Sequence, residues 1–390
     1  MTFDPSDPAF IADPYPAFAA LRSEGEVHWH DRLGLAVAVS HAACSAVLRH
    51  RGLGRLWTDA APADVFGAFN LLHRNSLLEN EPPTHTRLRR LIAAAFARGH
   101  TERLRPWVER LADRMVAELA ERITAAGSAD LLACVAAPLP VEVIGELLGV
   151  PQADRTLLAP WSNAIVKMYE YGLPDDQRRA AETAAQEFAD YVRALAGDPL
   201  PDSLVSDLAA VRDGGDRLSE DELVATAVLL LMAGHEATVN VIGNGVLALL
   251  THRDQWDRLV ADPGLLPSAV EELIRFDAPL QLFERTATER VEIAGYMVEP
   301  GRKIAALLGA AARDPLVFDE PDRFDIARTP NPHLGFGAGI HYCVGAPLAR
   351  VEIGATLAAL IRRLPELRLA DTAPRRPEFV IRGLRALPVG

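Results

Sequence analysis

Cysteine is scarce in this sequence: 390 residues contain three, Cys44, Cys134 and Cys343. They lie far apart, and neither a CxxC nor a CxxCH pattern occurs. The sequence therefore indicates no disulfide framework, no structural zinc site and no covalently attached c-type haem. A reducing cytoplasm is the compartment that this cysteine usage favours.

Positive charge is also in deficit, because 40 Lys and Arg stand against 53 Asp and Glu, a net charge of −13. This balance disfavours nucleic acid and anionic lipid as partners. Residues 1–10 have neither a basic nor an apolar region, so no signal peptide is expected. The longest apolar run, residues 223–234, is too short to span a membrane, and we expect a soluble protein.

The chain is long enough to bury a large core, and no Ser/Gly-rich or Pro-rich linker divides it. We therefore expect one domain over residues 1–390. Apolar residues recur at helical spacing in 87–98, 102–121, 176–196, 219–251 and 346–363. Short strands are indicated in 285–293 and 297–308, before a long structureless segment, 314–336. The predicted fold class is mainly α with small β-sheets (α+β).

One loop carries most of the chemistry. Residues 336–345 read FGAGIHYCVG and precede a helix that begins near Pro347. The positive end of a helix dipole stabilises a thiolate, and Cys343 is therefore a candidate metal ligand. Because glycine has no Cβ atom, the backbone can approach a flat ligand closely at Gly337, Gly339 and Gly345. By contrast, Cys44 and Cys134 lie on apolar helical patterns and are expected to be structural.

This loop resembles the haem-binding signature of the cytochromes P450, Phe-Gly-x-Gly-x-His-x-Cys-x-Gly, at every fixed position. The resemblance implies haem b as cofactor and O₂ as co-substrate in a single domain around a buried haem. Cys343 would be the axial ligand of the iron, His341 would bind a propionate and Phe336 would pack near the sulfur. A thiolate ligand favours O–O cleavage.

Two further patterns support this resemblance, which spans most of the chain and is closest to soluble bacterial members. Glu272 and Arg275 form an ExxR pair on one helix face, and the family's third partner is matched by Arg323 in 321–324. The two haem propionates need paired donors. By resemblance, those donors are His341 and three further residues: His85, Arg89 and Arg285.

Residues 233–238 read AGHEAT inside the long apolar helix. In the family this segment carries an acid and an alcohol that relay protons during oxygen activation. Glu236 matches the acid, but Ala237 replaces the alcohol, and Thr238 is rotated by about 100° around the helix. Three accounts remain open: a substrate hydroxyl or an ordered water completes the relay, Thr238 reaches in through a distorted turn, or the reaction is oxidative coupling.

The substrate pocket is expected to be mostly apolar. By resemblance to the family, its roof would come from 56–78 and from Met168, Tyr169 and Tyr171. The same resemblance gives as wall candidates Leu229, Met232, Ala233, Leu280, Gln281 and Phe283. Its possible orienting polar groups are Asn70, Asn75 and Gln281.

The sequence contains no dinucleotide-binding GxGxxG after a strand, so electrons are expected from a separate ferredoxin with its reductase. Exposed arginines could attract an acidic partner of this kind: Arg90, Arg98, Arg105, Arg350 and Arg362. The leading hypothesis is a monooxygenase that hydroxylates a small or mid-sized organic molecule, a secondary metabolite.

Three alternatives remain open at this point. The first is a radical-coupling or ring-forming oxidase on the same scaffold, which Ala237 keeps open. The second is a non-catalytic haem sensor, although such a protein has no need of Glu236. The third is a cysteine hydrolase using Cys343 and His341, for which the sequence offers no orienting acid.

Overall fold

The computed structural model of the protein describes residues 3–96, 99–213 and 215–390. Contacts between Cα atoms divide the chain into two compact units. We call Met1–Gly54, Glu109–Pro138 and Ala237–Gly390 the sheet unit, and Arg55–Val108 with Leu139–Glu236 the helical unit. The end of the first predicted helix, at residues 97 and 98, lies outside the described residues.

Helix dominates the described residues, which confirms the predicted fold class. The α-helices are α1 (Pro8–Ala12), α2 (Tyr15–Glu24), α3 (His41–Arg49), α4 (Gly67–Arg74), α5 (Thr84–Phe96), α6 (His100–Ala126), α7 (Pro138–Leu148), α8 (Arg155–Val166), α9 (Asp175–Gly197), α10 (Leu204–Ala210), α11 (Glu220–Thr251), α12 (Arg253–Ala261), α13 (Leu266–Phe276), α14 (Leu308–Ala311) and α15 (Ala346–Arg363). The strands are β1 (Val27–His30), β2 (Leu35–Ala38), β3 (Leu53–Gly54), β4 (Ala129–Asp130), β5 (Leu282–Ala287), β6 (Val291–Ile293), β7 (Tyr296–Val298), β8 (Lys303–Leu307) and β9 (Pro388–Val389).

The main sheet of the sheet unit has five strands in the order β1-β2-β8-β5-β3. Only the β2–β8 pair is parallel, with Ala36 opposite Ile304, and the other neighbours are antiparallel. All four residues of β2 are buried, as expected for a central strand. Two hairpin-sized sheets, β4–β9 and β6–β7, complete the β-structure.

Helix α3 packs on this sheet and explains the first cysteine. Ser40 caps the helix by accepting from the Ala43 N–H at 3.0 Å. The Cys44 thiol is fully buried and donates to the Ala38 carbonyl at 3.1 Å. Burial raises the pKa of the Cys44 thiol. Cys44 is therefore a structural core residue, as the sequence predicted.

In the helical unit, α9 anchors the short helix α4. The Glu182 carboxylate accepts from the N–H groups of Ala68 and Phe69, both at 2.9 Å, so a side chain from another helix satisfies the first turn of α4. Trp161 of α8 stacks on Phe188 of α9, with ring centroids 5.1 Å apart. These contacts fix the positions of α4, α8 and α9 within the unit.

The strongly periodic segments were predicted with small errors. Helix α15 has the predicted bounds, α9 is longer by one residue at each end, α11 begins one residue later than predicted, and α6 is longer than predicted. Each predicted strand segment contains two strands separated by a turn, β5 with β6 and β7 with β8. Residues 314–336 contain neither helix nor strand, as expected.

Helix α11 has the length and hydropathy of a membrane span, but 72% of its most apolar 18-residue window is buried inside the protein. Burial of this extent is typical of the core helix of a soluble protein. The helix is unbroken from Glu220 to Thr251.

A buried carboxylate ties both ends of the sheet unit to the end of α13. Asp277 accepts from Tyr15 Oη at 2.7 Å, from Arg375 at 2.5 Å and from Arg382 at 2.7 Å. Arg382 also donates to the Ala12 carbonyl at 2.8 Å. Burial alone would raise the pKa of Asp277, but the charges of Arg375 and Arg382 outweigh burial and lower this pKa to about 2.

Replacement of Asp277 by Asn should therefore lower the free energy of unfolding by about 3 kcal/mol, because two arginines lose their buried counter-charge. The stabilisation by Asp277 is complete above its unfolded pKa of 3.8 and is lost as the pH falls towards 2. Denaturant titrations at pH 7 and near pH 3 measure both effects. Asp257→Asn, in the exposed pair with Arg253, is the control and should change stability by less than about 0.5 kcal/mol. Equal effects of the two substitutions would contradict this assignment.

Candidate active site

The cysteine loop is closed on itself by backbone hydrogen bonds. The Cys343 N–H donates to the Phe336 carbonyl at 3.0 Å, and the Gly337 N–H donates to the Leu334 carbonyl at 2.8 Å. Gly337 and Gly339 have φ of 71° and 70°, a conformation that favours glycine. A Cβ on Gly339 would lie 2.6 Å from the Leu48 carbonyl oxygen, so this position has no room for a side chain.

Cys343 precedes Gly345, the N-cap of α15, by two residues. Unlike the buried Cys44, Cys343 is partly exposed. It therefore lies beside the positive end of an 18-residue helix. Cys134 is also partly exposed, but it lies in a short π-helical segment, Leu132–Ala136.

The ExxR pair is fully buried. Arg275 Nε and one terminal nitrogen each donate to a different oxygen of Glu272 at 2.8 Å. The other terminal nitrogen donates to the carbonyls of Ala312 at 2.7 Å and Pro321 at 2.8 Å. The pair therefore satisfies its own charges and also fixes the backbone of the irregular segment that leads to the cysteine loop.

The third member of this network is Arg328 and not Arg323, which corrects the sequence prediction. The Arg323 side chain is 56% exposed and pairs with Glu320 at 2.8 Å. Arg328, 10% exposed, lies 3.3 Å from Glu272 and donates to the carbonyls of Asp319 and Arg323. Arg323 takes part only through that carbonyl, which also accepts from Arg275 at 3.2 Å.

Asn331 is a second residue of the network that the sequence analysis missed. Its Nδ2 donates to Glu272 Oε2 at 3.1 Å, and the Asp325 N–H donates to Oε1 at 2.9 Å. No periodic or motif signal in the segment marked this asparagine.

Each unit carries cationic side chains suited to carboxylates. In the sheet unit, Arg285 is buried on β5 and donates to the Glu284 carbonyl at 2.8 Å, and His341 ends a short 3₁₀ turn of the cysteine loop. In the helical unit, His85 is buried in the first turn of α5 and Arg89 follows one turn later. Within the sheet unit, its two donors, a cysteine beside a helix N-terminus and a loop in which Gly339 has no room for a Cβ fit the chemistry of a haem.

Three accessible residues of α11 form one stripe, and Gly234 and Val239 also retain some accessible surface. Leu229, Ala233 and Ala237, spaced four residues apart, retain solvent-accessible surface on a mostly buried helix. Thr238 and Glu236 are 4% and 7% exposed. The helix is continuous from residue 220 to 251, so no break in it brings Thr238 to this stripe. At residue 237 this stripe therefore presents the methyl group of Ala237 and no hydroxyl.

Most of the other predicted wall residues are part of the protein interior. Met232 is buried, and Leu280 and Phe283 pack against the core cluster of the main sheet. Gln281 is fully buried, donates to the Ala278 carbonyl at 2.6 Å and leaves no room for a Cβ on Gly309. Its amide nitrogen is thus bonded within its own unit, while its Oε1 is buried without a hydrogen-bond partner among the described residues. Its expected role as an orienting group stays a prediction.

The two predicted orienting asparagines are likewise engaged with backbone. Asn70 exchanges two hydrogen bonds with Ala60, at 2.8 and 3.1 Å, and Asn75 donates to the Leu71 carbonyl at 2.9 Å. Among the predicted roof residues, Tyr169 Oη lies 3.0 Å from His73 Nε2. His73 in turn stacks on Trp57, with ring centroids 4.6 Å apart.

Four of the arginines proposed to attract a redox partner already hold carboxylates of this chain. Arg90 pairs with Asp213, Arg105 with Glu102, Arg350 with Glu271 and Arg362 with Asp113. The fifth, Arg98, lies outside the described residues. Their charges are thus largely neutralised within the molecule.

Comparison with known proteins agrees with this site. A family model described as Cytochrome P450 matches residues 200–378. The chain is 40% identical to the cytochrome P450 monooxygenase PikC of Streptomyces venezuelae, over 97% of this chain and 91% of that protein. It is 43% identical to the mycinamicin IV hydroxylase/epoxidase of Micromonospora griseorubida, over 81% and 80%. Its structure is similar to that of PksS, the cytochrome P450 of the bacillaene polyketide synthase of Bacillus subtilis 168, with a TM-score of 0.89 and 33% identity over 100% of this chain and 99% of that one.

The contacts of Arg328 with Glu272 predict that Arg328 contributes more to stability than Arg323 does. Arg328→Ala should lower the free energy of unfolding by about 2 to 3 kcal/mol, because buried Glu272 loses a cation and three carbonyls each lose one hydrogen-bond donor. Arg323→Ala removes only an exposed pair and should cost less than about 0.5 kcal/mol. Denaturant titration of both variants compares them, and a larger loss for Arg323→Ala would restore the original assignment.

Proposed function

Because this chain belongs to the cytochrome P450 family and is a haem-thiolate monooxygenase that uses O₂, we propose that it hydroxylates a small or mid-sized secondary metabolite of the polyketide class. The position of Cys343, which is partly exposed and precedes the N-cap of α15 by two residues, is the observation that carries the haem-thiolate chemistry of the proposal. The similar protein PksS is a polyketide biosynthesis cytochrome P450, which supports the substrate class. The mycinamicin IV hydroxylase/epoxidase supports hydroxylation as the reaction.

Haem, when bound, supplies the activation of O₂ and the insertion of one oxygen atom into the substrate. In the proposal, Cys343 provides its sulfur ligand and the glycine loop allows close approach of the backbone. Arg285, His341, His85 and Arg89 provide donors for its two carboxylates. The buried pair of Glu272 and Arg275 fixes the segment before the loop.

The accessible stripe on α11 supports a particular route for protons. Glu236 is the acid of the proposed relay, but Ala237 beside it has no hydroxyl and Thr238 is buried. A hydroxyl of the substrate, or a water that the substrate holds, completes the relay against the Ala237 methyl group. Oxidative coupling, which depends less on such a relay, remains the second candidate because of the same residue.

We assign electron supply to a ferredoxin-type protein with its reductase, in the cytoplasm, as part of this proposal. Docking of such a partner would have to compete with the ion pairs that already neutralise Arg90, Arg105, Arg350 and Arg362. Short-range contacts on the protein surface should therefore matter more than long-range attraction.

The first test concerns the sulfur ligand. Cys343→Ser should lose the thiolate signature in the spectrum of the reduced, CO-bound protein, since an alcohol does not replace a thiolate on the iron. Cys134→Ser, also partly exposed, is the matched control and should retain the wild-type spectrum. A thiolate spectrum that survives in Cys343→Ser but not in the control would move the ligand to Cys134.

The second test concerns the relay. Ala237→Thr should improve the coupling of electron use to product by about tenfold for substrates without a suitably placed hydroxyl, and little for substrates that have one. Ala237→Val has the same shape without the hydroxyl and controls for crowding. Product and peroxide yields per electron consumed measure the coupling.

Two results would contradict the relay proposal. If Ala237→Thr gives no gain over Ala237→Val on any substrate, the relay does not pass this position. If the two classes of substrate gain equally, substrate assistance is wrong and a water-based relay or coupling chemistry takes its place.

A further inference from the structure

Three polar side chains from three segments meet beside the cysteine loop. Arg350 of α15 donates to both carboxylate oxygens of Glu271 on α13, at 2.6 and 2.9 Å. His333, from the irregular segment, has its Nε2 2.9 Å from Glu271 Oε2. The Gly335 N–H donates to the other ring nitrogen of His333 at 3.2 Å, so Nε2 is the nitrogen that carries the proton and donates to Glu271.

This cluster contacts the first residue of the cysteine loop. The guanidinium carbon of Arg350 lies 4.4 Å from the centroid of the Phe336 ring. The Phe336 carbonyl accepts from the Cys343 N–H at 3.0 Å. A series of direct contacts therefore joins Glu271 to the backbone of Cys343 through Arg350 and Phe336.

The geometry restricts how this cluster can move. Two parallel hydrogen bonds fix the plane of a guanidinium, which a single ammonium contact does not. A cation over a ring adds a further preferred orientation. A Cβ on Gly335, the residue before Phe336, would lie 2.5 Å from Ile274 Cγ2. The chain that enters the loop is therefore also packed tightly against α13.

We infer that Glu271 is a positioning residue for the sulfur ligand of the haem: it holds Arg350 flat on Phe336 and so fixes the backbone from which the Cys343 sulfur is presented. His333 supports the same carboxylate from the segment that enters the loop. The inference rests on the proposed role of Cys343 and extends it to residues outside the signature.

Glu271→Gln is the direct test, because it keeps the size of the side chain and removes the charge that holds Arg350 and His333. Asp113→Asn is a matched control. Side-chain exposures are 27% and 37% for Glu271 and Arg350, against 31% and 38% for Asp113 and Arg363, and both arginines belong to α15. The control pair lies at the far end of α15 from the cysteine loop.

The readouts are the rate at which haem passes from the holoenzyme to an excess of a haem-scavenging apoprotein, and the fraction of reduced, CO-bound protein with thiolate ligation. Glu271→Gln should release haem about three to ten times faster than wild type and should show a smaller thiolate fraction. Asp113→Asn should match wild type in both. Equal behaviour of the two variants would overturn the inference.

Arg350→Lys separates geometry from charge and provides a second test if Glu271→Gln folds poorly. It keeps the positive charge but loses the planar, two-bonded contact, so it should also release haem faster and lose thiolate fraction. A wild-type result for Arg350→Lys would overturn the inference. If the wild-type holoenzyme itself lacks thiolate ligation, the proposed function fails instead, and the two failures remain distinguishable.

Discussion

The buried ion pair between Glu272 and Arg275 is the interaction on which the rest of the sheet unit depends. Two charges removed from water are costly unless further hydrogen bonds satisfy them. Here the remaining donors and acceptors come from the irregular segment between α14 and the cysteine loop, through backbone groups of residues 312–325 and the side chains of Arg328 and Asn331. A segment without regular structure is thus held in place by two side chains on one helix turn, and the position of the cysteine loop depends on it.

Local signals in the sequence were sufficient for the helix that follows the cysteine loop and for the loop itself. Helix α15 has a periodic apolar face, and the glycines at 337 and 339 have positive φ, as their role in a tight loop requires. The choice between Arg323 and Arg328 depended on a different kind of information. Both arginines follow Pro321 in a segment that has no repeating sequence pattern. Only the path of the backbone therefore decides which guanidinium lies against Glu272 and which lies beside Glu320.

For the polar residues of the predicted pocket, too, the sequence does not reveal which partners the side chains find in the fold. Gln281, Asn70 and Asn75 stand in largely apolar surroundings, where a sequence suggests contact with a ligand. A buried amide needs hydrogen-bond partners, and in these three cases a backbone carbonyl of the same unit accepts from the amide nitrogen. The accessible residues on this part of α11 are apolar: Leu229, Ala233, Gly234, Ala237 and Val239.

In the proposed mechanism, the supply of protons and the choice of substrate depend on each other. On an unbroken helix the 100° rotation from one residue to the next places Ala237 on the accessible stripe while Thr238 is buried. Side chains fixed in the protein therefore offer Glu236 no neighbouring hydroxyl at residue 237. In the proposed mechanism the missing group arrives with the substrate or with a water that the substrate orders. A molecule that binds without such a group would consume electrons and yield little product, so specificity is exercised at the proton relay as well as by the shape of the pocket.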